Sequence, residues 1–289
     1  MCRQDHTIWS FMEIAYNKKE LSALLKNREN IGLVPTMGAL HVGHVSLIEE
    51  SVRRKLFTVA SIFVNPTQFN NASDFEKYPI DTEADLEKLK KAGCDLVFLP
   101  KKEELYLKGK GQEKYIHDFG KLDSTIEGEY RPGHFVGVGQ VVHILFECIK
   151  PSVAFFGQKD FQQLQVIKLL NQKINAGIDV VGMPTIRESD GLAMSSRNRR
   201  LNPEQREAAS LIFKALSFAK AKHGDLTSGE LKEAVTQLFD TERLLELEYF
   251  EIINPYDFEP INGRIQEPAH AVIAAFAGEV RLIDNYHLI

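Results

Sequence analysis

Two histidines, His41 and His44, stand where an apolar segment gives way to a glycine-containing turn and an amphipathic helix, in "VPTMGALHVGH" (residues 34–44). Free backbone N–H groups and the helix dipole favour an anion at the start of a helix. Imidazoles placed there would add donors for phosphate oxygens. The structural alternative is that one histidine caps the helix and the other is a surface residue. A zinc site is less well supported, because the spacing does not suit a zincin helix and no third ligand is evident.

A second polar loop, "FVNPTQF", follows the next strand-like segment. Asn65 and Gln68 bracket Pro66, and turn chemistry by itself explains the asparagine and the proline. It does not explain Gln68 followed by Phe69. An amide beside an aromatic ring is typical of a site for a small ligand with polar and apolar parts.

A third loop, "FFGQKDFQQ", places Lys159 after another strand-like segment. A lysine at this point would provide a point charge for a phosphate group. Alternatively, Asp160 and Gln163 form a helix cap, and Lys159 is a solvated surface charge.

The fourth stretch, "GLAMSSRN" (residues 191–198), places two serine hydroxyls next to Arg197. Such a cluster suits a phosphate and can close as a lid, although a solvated linker is the alternative. No Gly-x-x-x-x-Gly-Lys-Ser/Thr occurs in the chain, so a P-loop is excluded. "GVGQVV" at Gly137 lacks the third glycine and the preceding strand of a dinucleotide-binding fingerprint.

The elements that must position these loops alternate between strand-like and helix-like from residue 31 to about 184. The apolar segments "IGLVPTMG", "FTVASIFVN", "CDLVFLP", "SVAFFG" and "IDVVGMP" predict strands. Between them, residues 44–55, a segment capped by Thr82 and stopped by Gly93, residues 135–149 and residues 160–173 predict helices. The pattern favours an α/β fold with a parallel sheet covered on both faces, whose ligands bind at the carboxyl ends of the strands.

A polar, turn-rich segment near residue 185 indicates a change of domain. We therefore predict a first domain over residues 1–184 and a smaller α+β domain over residues 185–289. The second domain should contain a long helix over residues 203–222, a helix at "SGELKEAVTQLF", and strands at "LELEYFEIIN", "HAVIAAFAG" and "VRLIDNY".

The bulk properties are those of an ordinary soluble protein. The chain has 289 residues, 44% of them hydrophobic, and a net charge of -5, which favours neither nucleic acid nor other acidic partners. Its three cysteines lack zinc-type spacing and do not suggest a disulfide framework. Charged residues interrupt the N-terminal apolar stretch, and no run reaches membrane-spanning length, so we expect a cytoplasmic protein without a signal peptide.

The four stretches in this order resemble the pantoate–β-alanine ligase family of the HIGH-motif nucleotidyltransferase superfamily. The resemblance extends through "YP" at Tyr78, "RPGHFVGV", "EADLEKL", "RESDGLAMSSRNR" and "RLIDN" and covers nearly the whole chain. It implies a Rossmann-type domain with a smaller lid domain in a cytoplasmic, Mg²⁺-dependent homodimer. The implied reaction joins (R)-pantoate to β-alanine, using ATP, through a pantoyl adenylate.

The resemblance also implies site residues. ATP would be bound by Met37, Gly38, Ala39, Leu40, His41, Val42, Gly43, His44, Gly157, Gln158, Lys159, Asp160, Ile186, Met194, Ser195, Ser196 and Arg197. The catalytic residues among them would be His44 foremost, then His41, Lys159, Ser195, Ser196 and Arg197. Pantoate would lie against Gln68, Gln163, Pro35 and Met37.

Two positions depart from the family pattern, and Arg197 differs only from the wider superfamily. Val42 replaces a common glutamate, and Arg197 stands where the wider superfamily often has a lysine. Ala84 stands within the acidic cluster that the family has near magnesium, so Asp85 is the one candidate magnesium ligand. Two alternatives stay open: a nucleotidyltransferase that transfers AMP or CMP to a phosphate, which the neutral amides of Gln68 and Gln163 disfavour, and a nucleotide-binding module without catalysis.

Overall fold

The computed structural model describes residues 12–106 and 112–289, in which a six-stranded parallel sheet forms the larger layer. Its strands are β1 (Glu13–Ala15), β2 (Ile31–Thr36), β3 (Phe57–Ile62), β4 (Leu96–Phe98), β5 (Val153–Gly157) and β6 (Asp179–Met183). They lie in the order β1-β4-β3-β2-β5-β6. The chain moves outward from β2 in one direction and from β5 in the other. A crevice therefore forms beyond the carboxyl ends of these two neighbours.

Helices cover both faces of this sheet, as the continuous apolar character of its strands predicts. Leu33 of β2 packs in the cluster that contains Phe135 and Ile144, whereas the next residue, Val34, packs in the cluster with Leu47 and Ile48. The helices of the described residues are α1 (Lys18–Leu24), α2 (Val42–Arg53), α3 (Ala72–Glu76), α4 (Thr82–Lys91), α5 (Lys102–Leu105), α6 (Glu127–Tyr130), α7 (His134–Ile149), α8 (Phe161–Lys173), α9 (Pro203–Ala208), α10 (Ser210–Lys222) and α11 (Ser228–Asp240).

A separate three-stranded antiparallel sheet contains β7 (Leu245–Ile253), β8 (His270–Ala277) and β9 (Val280–His287) in that order. Both faces of β8 are buried. Ala271 and Ile273 pack in the cluster formed with α10 and α11, whereas Val272 and Ala274 pack with Ile126 from the first part of the chain. The predicted fold class, a Rossmann-type sheet with a smaller α+β unit, is confirmed. The boundary between residues 184 and 185 stays a prediction.

Several predicted element limits were wrong. Helix α2 begins two residues before His44, and the N-cap of α4 is Asp81, whose carboxylate accepts from the Ala84 N–H at 3.2 Å, so Thr82 is already helical. The helix expected over residues 203–222 is two helices separated by Ala209. There, the Ala209 carbonyl accepts from Ile212, an i to i+3 bond that tightens the turn. The apolar spacing continues across this joint and gives no sign of it.

Strand β1 and helix α1 lie before residue 31, where no element was predicted. Strand β1 has only three residues and pairs with β4 at the edge of the sheet, Glu13 opposite Leu96. A three-residue strand is too short for alternation to be recognised. None of the described helices is both long enough and apolar enough to span a membrane.

Candidate active site

The carboxyl ends of β2, β3, β5 and β6 open into one cavity, which the segment after β6 also borders. The cavity is lined by most of the predicted site residues, namely Pro35, Met37, His41, Gly43, His44, Gln68, Gly157, Lys159, Asp160, Gln163, Ile186, Met194, Ser195, Ser196 and Arg197. Six predicted residues do not line it: Gly38, Ala39, Leu40, Val42, Asp85 and Gln158. The four separate loops thus meet at one place.

The two histidines cap the helix that they precede. His41 is the N-cap of α2, and its Nδ1 accepts from the Gly43 N–H at 3.1 Å, while Nδ1 of His44 accepts from the His41 N–H at 3.3 Å. The ring centroids lie 4.1 Å apart. The structural alternative is therefore correct in that the histidines cap the helix. It is wrong in making one of them a surface residue, because both line the cavity.

Both rings are neutral at physiological pH. Burial, reinforced by the neighbouring His44 and by Lys159, lowers the pKa of His41 to about 3. Burial and the positive charge of Lys159 lower the pKa of His44 to about 4. In a neutral ring whose Nδ1 accepts a hydrogen bond, the proton is on Nε2. Each histidine therefore offers the cavity an Nε2–H donor rather than a positive charge.

The Asp85 carboxylate stabilises the turn between β2 and α2 through hydrogen bonds. Gly38 and Ala39 have positive φ angles of 83° and 50°, and the Asp85 carboxylate accepts from the N–H groups of Ala39 and Leu40 at 2.7 Å each. The side chains of Ala39 and Leu40 are fully buried. Their N–H groups are already donated, so we correct the expectation that these two residues line the phosphates.

The environment of Asp85 does not suit a magnesium ligand. Its side chain is 1% exposed, both oxygens accept backbone hydrogen bonds, and Lys88 Nζ lies 3.6 Å away. No group of three metal-ligating side chains occurs in residues 12–106 and 112–289. In nucleotide sites Mg²⁺ is commonly held by one or two carboxylates together with substrate phosphates. Asp85 instead supports the turn.

Gln68 is oriented by contacts on both its side chain and its backbone. Its Oε1 accepts from Asn65 Nδ2 at 3.0 Å, and its Nε2 lies 3.1 Å from the sulfur of Met37. Its backbone carbonyl accepts from Nδ1 of His134 at 2.7 Å and from Arg131 at 3.4 Å. The amide is therefore fixed at the cavity wall.

Two glycines of α7 allow close packing, Gly137 against the loop that carries Gln68 and Gly139 against Phe119. A Cβ at Gly137 would lie 2.4 Å from the carbonyl oxygen of Thr67, and a Cβ at Gly139 would lie 2.4 Å from the ring of Phe119. Asn65 Nδ2 also donates to the Gly137 carbonyl at 3.1 Å. The glycines of "GVGQVV" thus serve close packing within α7.

An apolar wall completes the cavity near Gln68, and sequence reasoning missed it. Its residues are Phe63, Val138, Val141, Val142, Leu145, Phe156 and Ile167. Those on α7 recur at i, i+3, i+4 and i+7, a spacing that was visible in the sequence but is also that of ordinary core residues. The wall and the amide together form a surface for a small ligand with both polar and apolar groups.

Lys159 also lines the cavity, and its charge acts on both histidines. Its Nζ lies 3.6 Å from Asp160, and its side chain is 17% exposed. Asp160 occupies the N-cap position of α8 but makes no side-chain capping bond, so the predicted Asp160–Gln163 cap is wrong. Gln158 turns away from the cavity and donates to the Gly182 carbonyl at 3.3 Å.

The serine-rich loop contacts the histidine turn directly. Ser196 Oγ donates to the Ala39 carbonyl at 3.0 Å, and Ser195 Oγ accepts from the Arg197 N–H at 3.3 Å. The Arg197 guanidinium pairs with Asp74 at 2.7 Å and lies 5.7 Å from the Tyr78 ring centroid. Asp74 and Tyr78 belong to the site and had no role assigned from the sequence. No residue type or spacing marked Asp74 as the partner of an arginine 123 positions away.

Arg200 shares the same carboxylate, donating to Asp74 at 2.7 Å. Burial by itself raises the pKa of Asp74, but the hydrogen bonds and charges of the two arginines outweigh it and lower that pKa. Asp74 is therefore ionised and balances the positive charge at this end of the cavity. A phosphate that approaches Arg197 competes with Asp74 for the guanidinium.

Comparison with known proteins agrees with this geometry. A family model described as pantoate-beta-alanine ligase matches residues 10–287. The chain is 42% identical over 273 residues to the pantothenate synthetase of Flavobacterium psychrophilum, covering 94% of this chain and 96% of that protein. It is 44% identical over 282 residues to that of Leptospira biflexa, covering 96% of this chain and 98% of that one.

Solved structures give the same result. The pantothenate synthetase of Thermus thermophilus superposes with a TM-score of 0.90 at 39% identity, over 96% of this chain and 99% of that one. The pantoate-beta-alanine ligase of Francisella tularensis, solved in complex with beta-gamma ATP and beta-alanine, has a TM-score of 0.80 at 32% identity, over 96% and 98%. With its four loops assembled around one cavity, this chain belongs to the pantoate–beta-alanine ligase family.

Proposed function

We propose that this ligase condenses (R)-pantoate with β-alanine, using ATP, to give pantothenate, AMP and pyrophosphate through a pantoyl adenylate. The observation that carries the proposal is one cavity lined by two chemically different sets of side chains. One set consists of hydrogen-bond donors and a lysine, and the other of amides and an apolar wall. We propose that the two sets occupy different ends of the cavity. The relatives named above support the same reaction, and the Francisella enzyme was crystallised with two of the implied ligands.

The donor-rich end suits the triphosphate. The Nε2–H groups of His41 and His44, the ammonium of Lys159 and the hydroxyls of Ser195 and Ser196 meet there. Arg197 joins them when it exchanges Asp74 for a phosphate oxygen. Gly157 and Asp160 would contact the ribose and phosphates, and Met194 and the backbone of Ile186 the rest of the nucleotide.

The other end suits pantoate. Gln68 and Gln163 would bind its hydroxyl and carboxylate groups, and Pro35, Met37 and the α7 wall its dimethyl carbon. Neutral amides suit a small hydroxy acid, whereas a phosphate acceptor would require arginine or lysine. This arrangement favours the ligase over a nucleotidyltransferase that uses a phosphate acceptor.

The two ends together account for the chemistry. A carboxylate oxygen of pantoate attacks the α-phosphorus, and the bond from that phosphorus to the bridging β-oxygen breaks. The electron pair leaves on pyrophosphate. Neutral N–H donors and Lys159 stabilise the charge that develops there, in a site that need not reorganise. No side-chain nucleophile is required, because holding the two anions in line supplies the main advantage.

In the second step the β-alanine amine attacks the acyl carbon of the adenylate. The bond from that carbon to the phosphate oxygen breaks, AMP departs, and the amine loses a proton. Water would destroy the adenylate by the same route. The serine-rich loop, which already touches the histidine turn through Ser196 and Ala39, is therefore proposed to close the cavity.

Isotope exchange tests the proposal. Labelled pyrophosphate should enter ATP only when pantoate is present, and without any need for β-alanine. AMP release should require all three substrates. Exchange that requires a phosphate acceptor in place of pantoate would instead indicate the nucleotidyltransferase, and neither exchange nor AMP release would indicate a nucleotide-binding module.

The remaining expectations accompany the proposal as predictions. Magnesium would arrive with ATP rather than on a site built by this chain. The homodimer follows from the family resemblance alone, and the cytoplasmic location stays an expectation from the sequence. Sedimentation of the purified protein tests the dimer directly.

A further inference from the structure

Strand β9, the last strand of the chain, makes hydrogen bonds to the segment of residues 158–160, which connects β5 to α8 and is called the lysine loop below. Asn285 of β9 donates through Nδ2 to two successive carbonyls, that of Gln158 at 3.0 Å and that of Lys159 at 2.7 Å. Asn285 is 8% exposed, and its side chain does not line the cavity. It therefore has no direct contact to offer a ligand there.

The Asn285 amide is itself held in one orientation. His270 Nε2 lies 2.8 Å from Asn285 Oδ1, and the His270 ring stacks on Phe161 at 4.0 Å between centroids. Because Nδ2 faces two carbonyl oxygens, Oδ1 must face a donor, so the proton of His270 is on Nε2. A flipped amide would point its oxygen at two acceptors.

Within the lysine loop, Gln158 donates through its side chain to the Gly182 carbonyl at 3.3 Å, but neither Lys159 nor Asp160 has a side-chain hydrogen bond of this kind to the described residues. Asp160 makes no capping bond to α8, and Lys159 is joined to Asp160 only at 3.6 Å. Strand β9 also anchors the loop after β6. Asp284 pairs with Arg187, next to Ile186 in the cavity wall, at 2.5 and 3.1 Å.

We propose that Asn285 is a positioning residue for Lys159, with His270 fixing the Asn285 amide. The inference rests on the proposed function, in which the Lys159 ammonium meets the triphosphate. It extends that function to the smaller sheet, which thereby sets the geometry of a site that opens on the larger one. It also assigns a positioning role to Asn285, the last residue of the "RLIDN" segment.

A double-mutant cycle tests the inference. Asn285→Ala should lower the pantoate-dependent kcat/KM for ATP about ten- to a hundredfold, because a misplacement of about 1 Å is costly in a preorganised site. KM for β-alanine should stay unchanged. In a Lys159→Ala background the same substitution should have little further effect, since it acts through that lysine. Asn262→Ala, an exposed asparagine in the second half of the chain, is the matched control.

The outcomes separate the two proposals. Full activity in Asn285→Ala, or an equal loss in both backgrounds, overturns the positioning role while the ligase proposal stands. Full activity in Lys159→Ala overturns both the role given to that lysine and this inference. Calorimetric titration with ATP alone supplies a second readout, in which Asn285→Ala should weaken binding.

His270→Phe keeps the stack on Phe161 and removes only the donor, so it carries the test if Asn285→Ala does not fold. His270→Phe should lower kcat/KM for ATP by a smaller factor than Asn285→Ala does. His270→Gln, which restores an N–H donor, should recover part of the loss. Equal activity of His270→Phe and the parent would overturn the role of His270.

Discussion

The histidines of the first loop act as neutral donors because of where the chain buries them. An exposed imidazole with a pKa near 6.5 would be partly charged at physiological pH. Here burial and Lys159 lower the pKa of both rings well below that value. The positive charge of this end of the cavity therefore comes from Lys159 and Arg197. The histidines supply oriented hydrogen-bond donors, because the capping bonds fix the direction of each Nε2–H group.

His44→Ala tests whether His44 acts as a neutral Nε2–H donor in the reaction. It removes the Nε2–H donor, and turnover should fall on the order of a hundredfold, as expected for a preorganised donor to a developing charge. It also removes the acceptor for the His41 N–H, a loss of about 1 kcal/mol that the fold should tolerate. Steady-state kcat and a urea denaturation curve measure the two effects.

Glu49→Ala, an exposed position on the same helix, is the control and should retain full turnover. If His44→Ala kept the parental kcat while remaining folded, His44 would have no part in the chemical step.

At the scale of elements, a buried ion-pair network joins the small sheet to the loop that carries Gln68. The Glu127 carboxylate accepts from Arg281 at 2.6 and 3.0 Å and from the Tyr249 hydroxyl at 2.7 Å. Arg131 contacts both Glu127 and the Gln68 carbonyl, each at 3.4 Å. Burial by itself raises the pKa of Glu127, but the bonds from Arg281 dominate and lower that pKa to about 2.

Glu127→Gln should therefore destabilise the fold by about 3 to 5 kcal/mol, because it removes the buried carboxylate that Arg131 and Arg281 share, and Arg281 keeps just its pair with Glu248. Denaturant unfolding gives the free energy. KM for pantoate should also rise, since Arg131 loses the partner that holds it against the Gln68 carbonyl.

Glu279→Gln breaks an exposed pair with Lys77 and is the matched control, with no measurable change in the denaturation midpoint expected. Equal denaturation midpoints for the Glu127 and Glu279 variants would show that the buried network does not stabilise the fold.

For the whole molecule, buried histidines set the response to acid. Burial and the charge of Arg131 lower the pKa of His134 to about 3, and burial lowers that of His270 to about 4. The unfolded chain takes up these protons near pH 6.5, whereas the folded protein does not. Their contribution to stability is therefore complete above about pH 6.5 and is lost as the pH falls towards the folded values.

Urea midpoints at pH 7 and pH 5 should show this loss, at about 1.4 kcal/mol per pH unit for each such histidine. Glu127 does not interfere in this range, because its usual pKa of 4.5 lies below it. His270→Phe should lose less stability between the two pH values than the parent. An identical loss in both proteins would exclude His270 as a source of the acid response.

Much of the fold and of the site was predictable from local order along the chain. Strand-like segments ending in polar loops predicted all strands of the larger sheet except β1. The rule that ligands bind at the carboxyl ends of parallel strands predicted that His41, Gln68, Lys159 and Arg197 would meet. Both inferences depend on periodicity and on chain direction. These are properties of neighbouring residues, and they do not require distant contacts.

Tertiary structure alone decided how those residues are held and charged. Asp85 uses the N–H groups of Ala39 and Leu40, Asp74 pairs with Arg197, and Asn285 holds the carbonyl of Lys159. Each of these contacts joins positions at least 45 residues apart. The neutral state of the histidines likewise depends on burial by several elements. Hydrogen bonds, desolvation and charge act through space, so no local pattern of residue types specifies them.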